Sequence, residues 1–337
     1  MFTIKFFRAT IPNMMKTSEK VLLLLEAKRG EFVSGEILAN QLNLTRAAIW
    51  RAVNTLRSAG YKIVSSTKKG YMLHSECDRL SAQGIMNLLK AEVEVLYRES
   101  VDSTNTEAKR LALQGLQPPF VVVADTQIKG KGRGGKAFHS PRGSGLYLSL
   151  LIKPDLTTLM ALRVTAAAAV ATSRAIKAVT GKEVEIKWVN DLFYQEKKIC
   201  GILTEGAAGF ENGKLESVVI GIGLNYRTPE GGFPQELHDI AVALFDTEVP
   251  LNISRNLLAA SIIDHLMTLL KELDAPSFMD EYRRRSNVLG KAIKVYQGKQ
   301  QFNATVKTIT DDGALIVSAE DGTEHALNSG EISIRKG

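Results

Sequence analysis

The chain has 337 residues with 45% hydrophobic and 23% charged positions, an ordinary soluble globular composition with room for two or three domains. No apolar run reaches membrane-spanning length, and the two cysteines, Cys77 and Cys200, lie far apart without a C-x-x-C pattern. That excludes a zinc-type ligand cluster and points to a reduced, cytoplasmic compartment without a membrane partner. The net charge of +7 is concentrated: residues 1–80 carry 13 Lys+Arg against 6 Asp+Glu, whereas residues 81–337 carry 30 of each. A basic N-terminal module joined to a charge-balanced body suggests nucleic-acid binding at that end.

Residues 1–13 lack the apolar stretch and cleavage site of a signal peptide and read as an N-terminal extension. Residues 18–29 read as a helix with Ser18 as its N-cap and Gly30 as its stop. Ser34 can cap a short helix over 35–41, and Asn43 and Leu44 turn the chain. Thr45 then caps a third helix over 46–59, ended by Gly60. Ile49, Val53 and Leu56 share one face of it, leaving Arg46, Arg51, Asn54 and Arg57 for solvent or a partner. Residues 61–64 and 70–73 form a hairpin with Lys68 and Lys69 at its tip. Helix, turn, helix and basic hairpin make a winged helix-turn-helix. In that arrangement Lys68, Lys69 and Arg57 contact phosphates, while Thr45, Arg46 and Trp50 reach bases. The same elements could instead form a protein-interaction module; the charge concentration favours DNA.

A second domain begins near residue 80, with a short helix over 82–89 and a strand over 93–97. Asp102, Ser103, Thr104 and Asn105 form a polar turn before a helix over 106–114. Ser103 or Thr104 is a natural N-cap, and the same helix terminus could receive a polar ligand group. A strand over 120–124 then delivers Gln127 to the loop IKGKGRGGKAFHSPRGSG. Its glycines allow close backbone approach and its cations, Lys129, Lys131, Arg133 and Lys136, match phosphate or carboxylate. It is neither a dinucleotide fingerprint nor a P-loop. Both need a helix directly after, and Ala137 stands where a P-loop requires Ser or Thr. The loop leads instead into a strand over 146–152, and a bare basic surface loop is its bland alternative.

An Ala-rich helix over 159–179 is apolar nearly all round and therefore central. A strand over 184–188, a turn at Asn190-Asp191, a hairpin over 192–205, a turn at residues 211–213 and a strand over 217–225 follow. Helices over 253–273 and 278–285 come next. Five short strands then occupy residues 289–337, with turns at 297–298, 311–313 and 321–322, and read as a small β-barrel. Strands interspersed with helices without βαβ alternation argue for an α+β fold. Lys187, Asn190, Asp191 and Lys198 cluster around one strand end and one hairpin; taken singly, each reads as a surface lysine or a turn.

Three ordered motifs, KGKGRGGKAFHSPRGSGLYLSLLI, KWVNDLFYQEKKICGILTE and GIGLN, together resemble the biotin protein ligases, which attach biotin to a lysine of carboxylase carrier domains. The resemblance spans residues 80–337. With the winged module, the whole chain is similar to the bifunctional form that is also the biotin-operon repressor. It implies a winged helix-turn-helix domain over 14–76, a mixed α/β catalytic domain of class II synthetase type over 80–286, and an SH3-like β-barrel over 287–337.

The resemblance also implies roles. Ser103, Thr104, Asn105 and Gln127 would bind the biotin ring and side chain. Gly130, Lys131 and Arg133 would lie in a lid over biotin and its adenylate, Gly201 would line the pocket, and Lys198 would face the reacting carboxylate and α-phosphate. Arg133 and Lys198 would be the catalytic pair. Phe138 falls where the family usually has a Trp stacking on adenine; Asn190 and Asn225 would flank adenine, and Lys187 and Asp191 would serve the phosphates and Mg2+. On the winged module, Thr45, Arg46, Trp50, Arg51, Asn54, Arg57, Lys68 and Lys69 would face operator DNA. ATP and biotin would be substrates, and the partners would be a biotin carboxyl carrier domain, operator DNA and a ligand-promoted homodimer. This chain departs from the family in a less arginine-rich loop, in Phe138 for Trp and in Val189 for the Pro between Trp188 and Asn190. A non-enzymatic biotin sensor, a lipoate-type ligase and a vestigial winged module are the alternatives.

Overall fold

The computed structural model describes residues 15–153, 160–208, 215–297 and 300–334. The expected N-terminal extension, the turn at 211–213, residue 298 of the turn at 297–298 and the start of the Ala-rich helix lie outside them. The chain forms two compact units, one ending at Leu88 and one starting at Leu89.

The first unit holds α1 (Thr17–Ala27), α2 (Gly35–Leu42), α3 (Arg46–Ser58), a hairpin of β1 (Ile63–Ser66) and β2 (Gly70–Leu73), and α4 (Ala82–Met86). Ser34 and Thr45 cap as the sequence predicts, accepting from the Ile37 and Ala48 N–H groups at 3.1 and 3.2 Å. Asn43 takes a left-handed φ of 53° in the turn. The cap of α1 differs from expectation. Lys16, not Ser18, stands at the N-cap, and its N–H donates to the Glu19 carboxylate at 2.9 Å. The helix also ends two residues early, because Arg29 turns away to bind Glu26 and the Cys77 carbonyl at 2.7 Å. Val21, Leu22, Leu25, Leu38, Ile49, Val53 and Leu56 form the core. Gly70 permits a close approach: its φ is 98°, and a Cβ there would lie 2.1 Å from the Val33 carbonyl oxygen. The hairpin thereby seats Tyr71 against Val33 through paired backbone hydrogen bonds. The short helix α4, which the sequence places at the start of the second domain, belongs to this compact unit.

The second unit is built on a seven-stranded sheet in the order β3-β4-β5-β9-β8-β7-β6. Its strands are β3 (Glu94–Val101), β4 (Phe120–Gln127), β5 (Gly145–Ile152), β6 (Glu185–Lys187), β7 (Asp191–Tyr194), β8 (Lys197–Ala208) and β9 (Leu215–Asn225). The pair β3–β4 is parallel, joined by the crossover helix α5 (Thr104–Leu113); the other pairs are antiparallel. Every residue of β5 is buried, which explains its unbroken apolar run: both faces of the sheet are covered. Adjacent residues of β8 show this directly. The Glu205 side chain meets Asn105 of α5 at 2.7 Å. The Thr204 hydroxyl meets Thr165 of α6 (Ala161–Thr180) at 2.9 Å, so α5 and α6 lie on opposite faces. Helices α7 (Arg255–Leu269) and α8 (Phe278–Arg285) pack on α6.

The last five strands, β10 (Ala292–Gln297), β11 (Gln300–Ile309), β12 (Leu315–Ala319), β13 (Glu324–Leu327) and β14 (Glu331–Ile334), form an antiparallel sheet in the order β13-β12-β11-β10-β14. Among the described residues no ladder joins β13 to β14. Trp188 anchors this sheet beside the larger one, donating from Nε1 to the Gly313 carbonyl at 2.9 Å.

Candidate active site

One face of the large sheet has a glycine floor. Gly201 on β8 lies opposite Gly223 on β9, and Gly221 lies opposite Leu203, so the three glycines share a face with Ser149 and Tyr147 of β5. Each leaves room for a particular neighbour. A Cβ on Gly221 would sit 2.2 Å from the Asn105 Oδ1, one on Gly223 2.6 Å from the Phe138 ring, and one on Gly201 3.3 Å from the Lys198 Nζ. The floor therefore admits Asn105 from α5, Phe138 from the glycine-rich loop and Lys198 from the β7–β8 hairpin. Phe138 also meets Tyr147 edge-on, with centroids 6.4 Å apart.

At the N-terminus of α5, Ser103 occupies the N-cap position, yet its hydroxyl makes no capping bond. Gln127 does that work from β4: its Oε1 accepts from the Thr104 N–H at 2.8 Å and from the Thr104 hydroxyl at 3.1 Å. Its Nε2 donates to Ser140 at 2.9 Å. Gln127 is thus held in one amide orientation. Ser149, the lone serine in an apolar strand, lies within 2.7 Å of the Thr104 Oγ1 and 2.6 Å of the Asn105 Oδ1. Asn105 donates in turn to the Leu203 carbonyl and to Glu205, whose other oxygen pairs with Lys109 at 2.7 Å. Asn105, 3% exposed, is engaged at both ends of its amide and braces the pocket from behind. No sequence pattern assigns a role to Ser140, Ser149 or Glu205. An isolated Ser in LYLSLLI is the one signal that could have raised Ser149.

The glycine-rich loop crosses this face as a strap. Gly130 is buried, and a Cβ there would fall 2.4 Å from the Phe138 carbonyl oxygen. Lys131 reaches back to the Thr106 hydroxyl at 3.0 Å. Arg133 donates to the Asn190 Oδ1 at 3.0 Å and to the Gly330 carbonyl at 3.4 Å. Lys136 pairs with Glu331 at 2.7 Å. As expected, the loop opens onto a strand, β5, and not onto a helix. Behind it, Arg255 of α7 holds Asp125 of β4 at 2.7 Å with both side chains 6% exposed, and breaking such a buried pair costs about 3–5 kcal/mol.

The Trp188–Asp191 turn completes the site. Asn190 donates to the Ile202 carbonyl at 2.9 Å, and the Asp191 carboxylate lies 2.8 Å from the Lys198 Nζ in an ion pair that is not an aligned hydrogen bond. Burial holds the Lys187 ammonium below its ordinary value, with Asp191 pulling the other way and Lys198 adding to the depression. Asn225 donates to the Val242 carbonyl at 3.0 Å. Four cations, Lys187, Lys198, Arg133 and Lys136, thus stand near two carboxylates, Asp191 and Glu331, a balance suited to an anionic ligand. Among the described residues no cluster of three metal-ligating side chains occurs.

In the first unit, Trp50 is 57% exposed and Arg46, Arg51, Lys68 and Lys69 are also exposed. The Thr45 hydroxyl is spent on its cap. Arg57 is committed to the hairpin, donating to the Ile63 carbonyl at 2.9 Å and to Ser65 at 2.8 Å, and it also approaches Asn54 at 3.5 Å. It braces the wing instead of projecting freely. No helix among the described residues is long and apolar enough to cross a membrane.

A glycine floor, a cationic strap, and Arg133 and Lys198 held by one turn define a site for an anionic ligand on a mixed α/β sheet, in a chain that begins with a helix-turn-helix unit. Residues 97–225 match the biotin/lipoate A/B protein ligase family, residues 17–72 an HTH domain, and residues 288–335 the biotin protein ligase C-terminal domain. The bifunctional ligase/repressor BirA of Bacillus spizizenii is 37% identical over 235 residues, 68% of this chain and 72% of that protein. The bifunctional ligase/repressor BirA of Escherichia coli is 29% identical over 322 residues, 94% of this chain and 96% of that one. The biotin protein ligase of Aquifex aeolicus, solved in complex with biotin and ATP, superposes with a TM-score of 0.59 at 25% identity, covering 72% of this chain and 99% of its own. The chain belongs to the biotin protein ligase family, in its bifunctional ligase/repressor form.

Proposed function

We propose that this protein activates biotin with ATP to biotinyl-5'-AMP, transfers the biotinyl group to a lysine of a carrier domain, and represses biotin genes with the adenylate as corepressor. The observation that carries the ligase reading is the Asn190-Asp191 turn. Its two adjacent side chains hold Arg133 and Lys198, from different parts of the chain, beside one glycine floor.

The Ser103 hydroxyl, free of capping duty, and the remaining N–H of Gln127 would orient the ring of biotin. The biotin carboxylate oxygen attacks the α-phosphorus of ATP and pyrophosphate leaves. The carrier amine nitrogen then attacks the carbonyl carbon, loses a proton, and AMP leaves. No protein nucleophile is required. Arg133, Lys198 and Lys187 stabilise charge that builds on the phosphate oxygens, and the strap excludes water that would hydrolyse the mixed anhydride. Phe138, on the floor beside Lys198, supplies an apolar wall. Mg2+ is a substrate ion here, arriving with ATP. Magnesium keeps several waters and takes one or two carboxylates plus phosphates, and Asp191, whose Oδ1 has no aligned hydrogen bond, fits that single-carboxylate role.

The exposed Trp50, Arg46 and Arg51 on α3, with Lys68 and Lys69 at the wing, support operator recognition, and a ligand-promoted homodimer would match a two-fold operator. Two assays test the reading. Pyrophosphate release should depend on biotin and prefer it strongly over lipoate. Anisotropy with a biotin-gene promoter fragment should show binding that requires biotin and ATP and weakens with salt. A preference for lipoate, or promoter binding indifferent to biotin, would reverse the corresponding half.

A further inference from the structure

Two anchors of the strap lie at the head of β14, on Glu331 and on Gly330 just before it. Lys136 Nζ is 2.7 Å from each carboxylate oxygen of Glu331, and Arg133 donates to the carbonyl of the preceding residue, Gly330. The strap backbone lies close as well, since a Cβ on Gly134 would be 3.9 Å from the Glu331 Oε1. Glu331 sits at the head of an edge strand whose sheet is fixed to the catalytic body by Trp188 and by Arg283, which donates to the Ile309 carbonyl at 2.8 Å. The carboxylate is therefore presented from a rigid support to a strap otherwise held by Lys131 and Asn190. Lys136, chiefly through its hydrogen bond, lowers the Glu331 pKa, with Arg133 and Lys187 contributing. One carboxylate thus faces three cations of the proposed nucleotide site.

We propose that Glu331 is a positioning residue of the ligase reaction. It latches the glycine-rich strap shut through Lys136 and surrenders Lys136 to the β- and γ-phosphates while ATP is bound. Departure of pyrophosphate returns Lys136 to Glu331, so the strap relatches over the adenylate. The pair has the properties such an exchange needs. Both side chains are more than half exposed, at 66% and 54%, so the contact is weak and solvent can reach it. A triphosphate carries several negative charges against one on the carboxylate and wins the competition, whereas the single charge of the adenylate leaves Lys136 free. Glu331 is then a competitor of ATP before activation and a lid fastener after it.

This inference rests on the ligase reading above, and the experiment separates the two. Full-length wild type, E331Q, K136Q and the double variant are compared for the KM for ATP in biotin-dependent pyrophosphate release. They are also compared for the rate at which preformed biotinyl-5'-AMP leaves in the absence of carrier. For E331Q the KM for ATP falls while adenylate release accelerates, each about two- to fivefold, the scale of an exposed ion pair. K136Q releases adenylate equally fast but has a raised KM, and the double variant releases no faster than either single variant. A general loosening of the fold would raise the KM and the release rate together in E331Q. That result, unchanged values in E331Q, or additive release rates in the double variant would overturn the latch. A wild type that forms no adenylate would instead overturn the ligase reading itself.

Discussion

Arg133 donates from Nη1 to the Asn190 Oδ1 at 3.0 Å, and this contact ties the middle of the glycine-rich strap to the turn whose next residue, Asp191, holds Lys198. It joins the strap to the sheet. Arg133→Gly removes both this bond and the one to Gly330 and adds a residue with maximal backbone freedom. Hydrogen bonds to charged groups contribute about 1.5–3 kcal/mol. Adenylate release should therefore accelerate at least about tenfold, and biotin-dependent DNA binding should be lost. Retention of the adenylate at the wild-type rate, measured by filter binding of labelled biotin, would remove the strap from the account.

Ser149 lies at the centre of the polar network under the site, between Thr104 and Asn105, with 0% exposure. Ser149→Ala strands a buried acceptor, which costs about 1–3 kcal/mol, and frees Thr104 from one of its two tethers. The KM for biotin should rise about tenfold while the KM for ATP stays within about twofold. Equal changes in both constants, measured by steady-state kinetics, would mean that the network supports the sheet and not the biotin end of the pocket.

Gly70 tests the independence of the first unit. A side chain there meets the Val33 carbonyl at 2.1 Å and must hold a φ of 98°. The backbone strain alone costs about 1–2 kcal/mol. Gly70→Ala should lower the melting transition of the first unit by about 5 °C or more and weaken promoter binding. Carrier labelling at 25 °C should stay within about twofold of wild type. A matching loss of labelling would show that the hairpin supports the catalytic unit too.

Lys187 carries a pH prediction. Burial lowers its pKa from the ordinary 10.5, against the attraction of Asp191. The charged form is the one that serves phosphate. Raising the pH through the lowered value therefore removes the cation and raises the KM for ATP, on an alkaline limb that begins below that of a free lysine. Lys187→Arg keeps its charge throughout and should flatten the limb. An alkaline limb unchanged in the arginine variant would assign the titration to another group.

The strap, the Asn190-Asp191 turn and the helix caps at Ser34 and Thr45 were legible because their signals are local: glycine and cation spacing, turn residues, N-cap chemistry. What escaped sequence reading depends on contacts between distant strands. Ser140, Ser149, Glu205 and Glu331 become part of the site only through the register of β4, β5, β8 and β9 and the docking of β14. Sequence also gives residue type without the direction of its polar atoms. Arg57 read as a phosphate contact, yet its donors are engaged with Ile63 and Ser65. Asn105 read as a biotin contact, yet its amide is committed to Ser149, Leu203 and Glu205. Gln127 reads as a ligand and is also the cap of α5, a duty expected of Ser103 or Thr104. The order of the seven-stranded sheet, with one parallel pair, has no local signature at all.

The central claim is that the cations gathered by Asn190 and Asp191 activate biotin for transfer to a carrier lysine. Mass spectrometry of an apo carrier domain incubated with the full-length protein, ATP and biotin tests it most directly. The carrier should gain the mass of one biotinyl group, and omission of ATP or biotin should abolish the gain. An unmodified carrier, with protein that still binds biotin, would contradict the ligase account and leave a sensor in its place.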